Sequence, residues 1–228
     1  MTKSKKKKRV KFKIKNIIIL LGIFSLLVLI GYFVVMLPIN NIYISGNNIL
    51  DDREIMAISN IDDYPSFILT NRYEMKKKLV ANSYIEDVII KKKLGNILEI
   101  ELVEYKAIAI DSKKEIVLSS GEILENSYNI YDVPILVNDI SDKEVFSLFV
   151  SKMGLLNSDI LRQISEIEYS PVEVDKERFL FYMSDGNFVY ISLTKLSKLD
   201  KYNEIKDKLN GKKGTIYLDS GDYVELFS

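Results

Sequence analysis

Few residues in this chain are equipped for chemistry. Adjacent carboxylates stand at Asp51-Asp52 and Asp62-Asp63, and glycines bracket a basic run at Gly211-Lys212-Lys213-Gly214. Paired carboxylates that act on one substrate must approach it from separate positions across a cleft. Sequence neighbours do not converge in that way, and these pairs read as helix caps and loop acids. The run at 211–214 lacks the spacing and the following Ser or Thr of a phosphate-cradling loop. No dinucleotide, zinc-protease or calcium-loop pattern is present. The chain has no His and no Cys. Imidazole bases, Ser-His-Asp triads, thiolate nucleophiles, disulfides and the usual zinc ligand sets are therefore excluded. The expectation is a non-enzymatic chain with no cofactor, no metal and no small-molecule substrate.

Charge is distributed unevenly over the 228 residues: 32 Lys+Arg balance 32 Asp+Glu, for a net charge of zero. Nine of the basic residues and none of the acidic ones fall in residues 1–15, which leaves 23 basic against 32 acidic on the rest. A cationic tag thus precedes an acidic body. From Ile17 to Leu37 runs a stretch of 21 uncharged residues, closed by Pro38. As a helix it is about 31 Å long, matching a bilayer's hydrocarbon core. It is too long for the apolar part of a cleaved signal peptide, and no small-residue cleavage site follows. The reading is an uncleaved anchor with span ends at Ile17 and Leu37. The basic flank places the N-terminus in the cytoplasm and residues 38–228 outside. The tag at 1–16 suits topology and anionic headgroups better than nucleic acid.

Beyond the anchor the elements are mixed. Ile42-Tyr43-Ile44-Ser45-Gly46-Asn47 reads as a strand and turn. Asp51 or Asp52 caps a helix carrying Ile55, Met56 and Ile58, and Thr70 or Asn71 caps a second with Leu79-Val80 on its apolar face. Strands follow at 85–93 and 97–105, joined by Leu94-Gly95-Asn96. On the latter, Leu98, Ile100 and Leu102 point one way and Glu99 and Glu101 the other. Lys91, Lys92 and Lys93 are expected to face Glu99, Glu101 and Glu104 across the pair. The order is β-α-α-β-β.

The remainder alternates short strands with two helices. Strands read at 108–110, 115–118, 123–124, 164–169, 178–183 and 188–191. Ser141 or Asp142 caps one helix reaching Met153. Thr194 caps the other, in which Leu196, Leu199, Tyr202, Ile205 and Leu209 form the apolar face. Two strands close the chain, at 215–218 and 223–226.

These landmarks resemble the FtsQ/DivIB family of bacterial cell-division proteins. The entry strand Ile42-Tyr43-Ile44-Ser45-Gly46-Asn47 is similar to the family's, as are Val88-Ile89-Ile90, Ile100-Glu101-Leu102-Val103-Glu104 and Tyr105-Lys106-Ala107-Ile108-Ala109. Later matches are Gly121-Glu122, Val133-Pro134-Ile135-Leu136, Asp185-Gly186-Asn187 and Lys213-Gly214-Thr215-Ile216-Tyr217-Leu218-Asp219. The chain departs from the pattern at Gly95 and Ala107, where the family has Pro.

The resemblance implies an α+β fold: one N-terminal transmembrane helix, a POTRA domain and a mixed β-rich domain ending in an edge strand. The divisions expected are a basic tail at 1–16, the membrane helix at 17–37, the POTRA domain at 38–107 and the β-domain at 108–228. It further implies a non-catalytic divisome scaffold in the cell membrane, enriched at the septum, that helps control septal peptidoglycan synthesis. Its partners would be FtsB/DivIC-like and FtsL-like bitopic division proteins. The positions matching the family's partner-binding edge are Tyr217, Leu218, Asp219, Ser220, Gly221, Tyr223 and Val224. The alternative is a membrane-anchored POTRA protein of another kind, in sporulation, sensing or secretion.

Overall fold

A computed structural model describes residues 14–227; the basic tail expected at 1–16 lies, up to residue 13, outside them. The first element is helix α1 (Ile14–Val35), none of whose residues is buried. It starts before Ile17 and ends before Leu37, and Met36 and Leu37 close it through bonds to the Tyr32 and Val34 carbonyls. The helix is long and apolar enough to cross a membrane. Apolar side chains all round a helix leave it without a stable partner in water, and lipid is the solvent that matches them.

The chain then divides into two compact units. One takes in residues through Ser45, 51–79 and 88–101; the other takes in 46–50, 80–87 and the chain from Leu102 onward. The elements leading into them are β1 (Asn41–Ser45), α2 (Asp52–Ser59), α3 (Arg72–Val80), β2 (Ile85–Lys93) and β3 (Ile97–Glu104), the expected β-α-α-β-β order. The sheet runs β1-β3-β2, with β1 parallel to β3. Asp51 caps α2 by accepting from Glu54 N at 2.7 Å, and Asn71 accepts from Tyr73 N at 2.9 Å at the start of α3. In the first unit, Ile55, Ile61, Met75, Leu79, Val88, Leu98 and Ile100 are buried.

Only two of the expected lysine–glutamate pairs form on this sheet: Lys91 meets Glu101 at 2.8 Å and Lys93 meets Glu99 at 3.0 Å. Strand alternation sends Lys92 to the other face, where its Nζ donates to the Phe67 carbonyl and sits 5.0 Å from the Phe67 ring. Glu104 does not pair with a lysine. Its carboxylate accepts from the amides of Asn48, Ile49 and Leu50 at 2.7, 2.8 and 3.0 Å. That turn is reached through Gly46 (φ +85°), where a Cβ would stand 2.0 Å from the Leu102 carbonyl oxygen.

The second unit is built on a nine-stranded sheet. Its elements are β4 (Ala107–Ile110), β5 (Glu115–Leu118), β6 (Ile123–Glu125), β7 (Ile135–Leu136), α4 (Lys143–Leu155), α5 (Ser158–Leu161), β8 (Ile164–Tyr169), β9 (Arg178–Met183) and β10 (Phe188–Ser192). A 3₁₀ helix (Leu193–Lys201), α6 (Tyr202–Lys208), β11 (Gly214–Tyr217) and β12 (Tyr223–Leu226) follow. The sheet order is β12-β11-β10-β9-β8-β7-β4-β5-β6. Asp142 caps α4, and Phe149 of that helix stacks on Phe179 of β9 at 5.3 Å.

The helix expected from Thr194 is corrected in its first half. It is a 3₁₀ helix that begins at Leu193, with no side-chain cap. The buried residues Leu193, Leu196, Leu199 and Tyr202 recur every third position, which matches three residues per turn rather than 3.6. The short α5, capped by Asn157, was not anticipated; four residues are too few for a periodic signal.

The Glu104 carboxylate serves as a three-amide acceptor, and hydrogen bonds to charged groups contribute about 1.5–3 kcal/mol net, less where water can replace the acceptor, as at the exposed Asn48 amide. Urea denaturation should show Glu104→Ala less stable than the parent by roughly 2–3 kcal/mol, with Glu104→Gln recovering part of the loss. Equal midpoints for Glu104→Ala and the parent would show that water replaces the carboxylate at no cost.

Candidate partner-docking edge

β12 ends the nine-stranded sheet and has a strand on one side only, β11. The register sets Gly214 opposite Leu226, Thr215 opposite Glu225, Ile216 opposite Val224 and Tyr217 opposite Tyr223. β11 in turn runs parallel to β10. Parallel neighbours cannot be joined by a tight turn, so the chain between them crosses over through the 3₁₀ helix and α6.

A buried polar knot fixes where β11 begins. The Asn187 side chain, 1 % exposed, accepts from Gly214 N at 3.0 Å and donates to the Tyr202 hydroxyl at 2.9 Å. The Tyr202 hydroxyl donates to Asp185 at 2.8 Å, and Lys206 lies 3.2 Å from the same carboxylate. Burial raises the Asp185 pKa, but hydrogen bonds from Tyr202, Asn187 and Lys206 outweigh it and leave the net shift downward. Burial is also the main cause that drives the Tyr202 hydroxyl upward. At Gly214 a Cβ would stand 2.3 Å from the Glu225 carbonyl oxygen, so only glycine lets β12 close on β11.

The sheet face opposite the core carries two aromatic rows. In one, Arg178 lies 3.8 Å over the Tyr190 ring, Tyr190 stacks on Tyr217 at 5.4 Å, and Tyr217 stacks on Tyr223 at 4.6 Å. In the other, Tyr182, Phe188 and Phe227 follow at 5.3 and 5.4 Å. A hydrogen bond to Glu168, with burial adding to it, pushes the Tyr182 hydroxyl up to about 12. The Tyr217 hydroxyl is also raised, by burial and by its bond to Glu225 at 3.2 Å.

The anticipated site residues are brought together at this rim, but in different roles. Tyr217 and Tyr223 are adjacent in the aromatic row. Leu218 is buried in the core, and its amide donates to the Tyr190 carbonyl at 2.8 Å. Asp219 pairs with Arg178 at 2.7 Å, and Ser220 donates to Asp219. Gly221 lies in the connecting turn, and Val224 is half-buried against the core.

Three lysines of the preceding helical segment are engaged within the chain. Lys195 donates to the Asp219 carbonyl, Lys198 reaches Asp222 at 2.6 Å, and Lys206 reaches Asp185. Sequence reasoning missed Arg178 and the Asn187 knot. Asp185-Gly186-Asn187 was visible only as a turn, and nothing local shows that the Asn side chain turns inward.

A family model described as "POTRA domain, FtsQ-type" matches residues 37–105. The cell division protein DivIB of Bacillus subtilis is 33 % identical over 83 % of this chain and 74 % of its own length. The chain belongs to the DivIB family. DivIB of Listeria monocytogenes is 29 % identical over 97 % of this chain and 86 % of its own. A solved structure of the major extracytoplasmic domain of DivIB from Geobacillus stearothermophilus, in its trans isomer, covers 47 % of the chain and 95 % of that domain, at 25 % identity and a TM-score of 0.39. Membership of DivIB assigns the chain to cell division.

In this DivIB-family chain the Arg178–Asp219 pair ties the β11–β12 turn back to β9. The Asp219 pKa is lowered: burial raises it, and the Arg178 and Ser220 hydrogen bonds more than reverse that. A carboxylate depressed on folding stabilises the native state above its unfolded pKa, and that gain disappears as pH falls through the folded value. Asp219→Asn should therefore lower stability by roughly 1–2 kcal/mol at neutral pH. The gap to the parent should stay constant down to about pH 5 and close below about pH 4. Denaturant midpoints across pH check this, and a gap unchanged into strong acid contradicts it.

Proposed function

We propose that this chain is a non-enzymatic divisome scaffold that receives bitopic division partners, of the FtsB/DivIC and FtsL kind, on β12. The N-terminus lies in the cytoplasm, the POTRA domain (38–107) and β-domain (108–228) lie outside, and the protein concentrates at the septum, where it helps control peptidoglycan synthesis. The observation that carries the reading is β12's terminal place in a nine-stranded sheet of a DivIB-family chain. An edge strand presents backbone donors and acceptors that an extended segment can complete by strand addition. Tyr223, 45 % exposed and stacked on Tyr217, supplies a rigid aromatic beside that edge. The reading of residues 1–16 as a cytoplasmic tail and of Ile17–Leu37 as an uncleaved signal anchor is supported by the charge asymmetry across them.

Co-purification of the full chain with co-expressed DivIC-like and FtsL-like proteins tests the proposal. Tyr223→Lys places a charge where the incoming strand would pack, and a central aromatic contact contributes upward of about 1 kcal/mol, so retention should fall roughly fivefold or more. Circular dichroism should be unchanged, because Tyr223 lies outside the core. Full retention by a folded Tyr223→Lys protein would remove β12 as the docking edge.

A further inference from the structure

Two loops gather at the carboxyl end of α1. In the first, Ser66 Oγ donates to the Val35 carbonyl at 2.5 Å and Phe67 N donates to the Leu37 carbonyl at 2.9 Å. In the second, the β2–β3 turn, Asn96 accepts from Asn40 N at 2.8 Å and its side chain donates to the Pro38 carbonyl at 3.1 Å. Leu69 N donates to the same Ser66 hydroxyl at 3.2 Å, so its backbone is one hydroxyl away from the last residue of α1. Val35 is the last residue of α1 and precedes Leu37, so it lies on the membrane side of it. These loops therefore sit at the level where the helix leaves the bilayer.

Their side chains suit that level. Ile68, Leu69 and Leu94 are 49 %, 63 % and 98 % exposed. Arg72 and Lys76 line an open groove of about 660 Å³ with Ile68, Leu69, Tyr73 and Ile90. Lys92 donates to the carbonyls of Phe67 and Ile68 and so pins the first loop. Burial, followed by repulsion from Arg72, lowers the Lys92 pKa, which marks two cations held near each other. Glu74, on the same helix as Arg72, lines a different groove beside Lys78. Aliphatic tips, an exposed tyrosine and close cations at a membrane exit match the layered chemistry of a phospholipid: apolar chains below, phosphate above.

We propose that the 65–73 segment and the β2–β3 turn seat on anionic phospholipid headgroups where α1 emerges. Ile68, Leu69 and Leu94 reach below the phosphates, and Arg72 pairs with them. This rests on α1 spanning the membrane. It fixes the start of the extramembrane chain against the bilayer rather than leaving it to swing from Pro38.

The chain contains no Trp, so one introduced Trp reports without background. The full chain carrying Leu69→Trp is reconstituted into vesicles of phosphatidylcholine with phosphatidylglycerol. Lipids brominated near the carbonyl end of the acyl chain should quench it strongly and acrylamide weakly. Adding Arg72→Glu should cut that lipid quenching roughly twofold or more, toward the level seen in vesicles of phosphatidylcholine alone. A second reporter, Phe24→Trp in α1, should be quenched by deeply brominated lipid.

If Phe24→Trp is quenched while Leu69→Trp responds only to acrylamide, the loop seat is wrong. If Phe24→Trp is not quenched, the spanning helix itself is wrong and the seat falls with it. Quenching of Leu69→Trp that ignores the Arg72 charge reversal overturns the assignment to anionic lipid.

Discussion

The placement of β11 parallel to β10 is the constraint on which the exposed rim depends. A strand cannot reach a parallel neighbour by a short turn, so the chain must leave the sheet after Ser192, pack a helical segment, and re-enter at Gly214. Leu193, Leu196, Leu199 and Tyr202 bury that segment on a three-residue period. The Asn187 amide then fixes the re-entry point by holding Gly214 N. An unpaired buried amide costs about 1–3 kcal/mol, so Asn187, Tyr202 and Asp185 favour one register over its neighbours. A slip of one residue would send Ile216 outward and Tyr217 into the core.

With β11 fixed, β12 has a template, and the Arg178–Asp219 pair limits how the connecting turn lies. The pair is shielded from water, with side-chain exposures of 15 % and 9 %. The same guanidinium covers Tyr190, so the charge that anchors the turn also begins the aromatic row that ends at Tyr223. Electrostatics and stacking are thus coupled at one side chain. Replacing Arg178 by Lys would keep the charge but lose the planar group that serves both contacts.

Sequence periodicity reveals the fold well where a single face is buried. Leu98, Ile100 and Leu102 alternate with acids, and their strand is found with its inward face as expected. The β-α-α-β-β order was legible from the same kind of pattern, whereas the POTRA assignment and the terminal edge strand came from the family resemblance. The apolar period of the crossover segment was legible in kind but not in pitch. The steps 196, 199, 202 and 205 fit three residues per turn, the step of four to 209 fits 3.6, and Leu193, outside the expected helix, extends the three-residue run. The Lys92 and Glu104 assignments failed because strand alternation and a distant turn, not charge sign, decide their partners. At the rim, residue types marked Tyr217 and Tyr223, but the inward turn of Asn187 and the reach of Arg178 to Asp219 are long-range and leave no local signature.

Strand addition reads backbone groups, so the residues that govern such an edge are those that set the backbone's position. On that argument Gly214, Asn187 and the Arg178–Asp219 pair would matter more to the proposed docking than most exposed side chains of β12. Their role is to hold four residues, Tyr223–Leu226, straight and in register at the sheet's limit. Specificity then falls to the alternating side chains. Tyr223 and Glu225 lie on the aromatic face, and Val224 lies on the core side. Under the proposed docking, an incoming strand would offer an apolar residue toward Val224 and meet an aromatic surface on the other face. A chain can diverge widely at its surface and keep this edge, provided that the few interior groups aligning it remain.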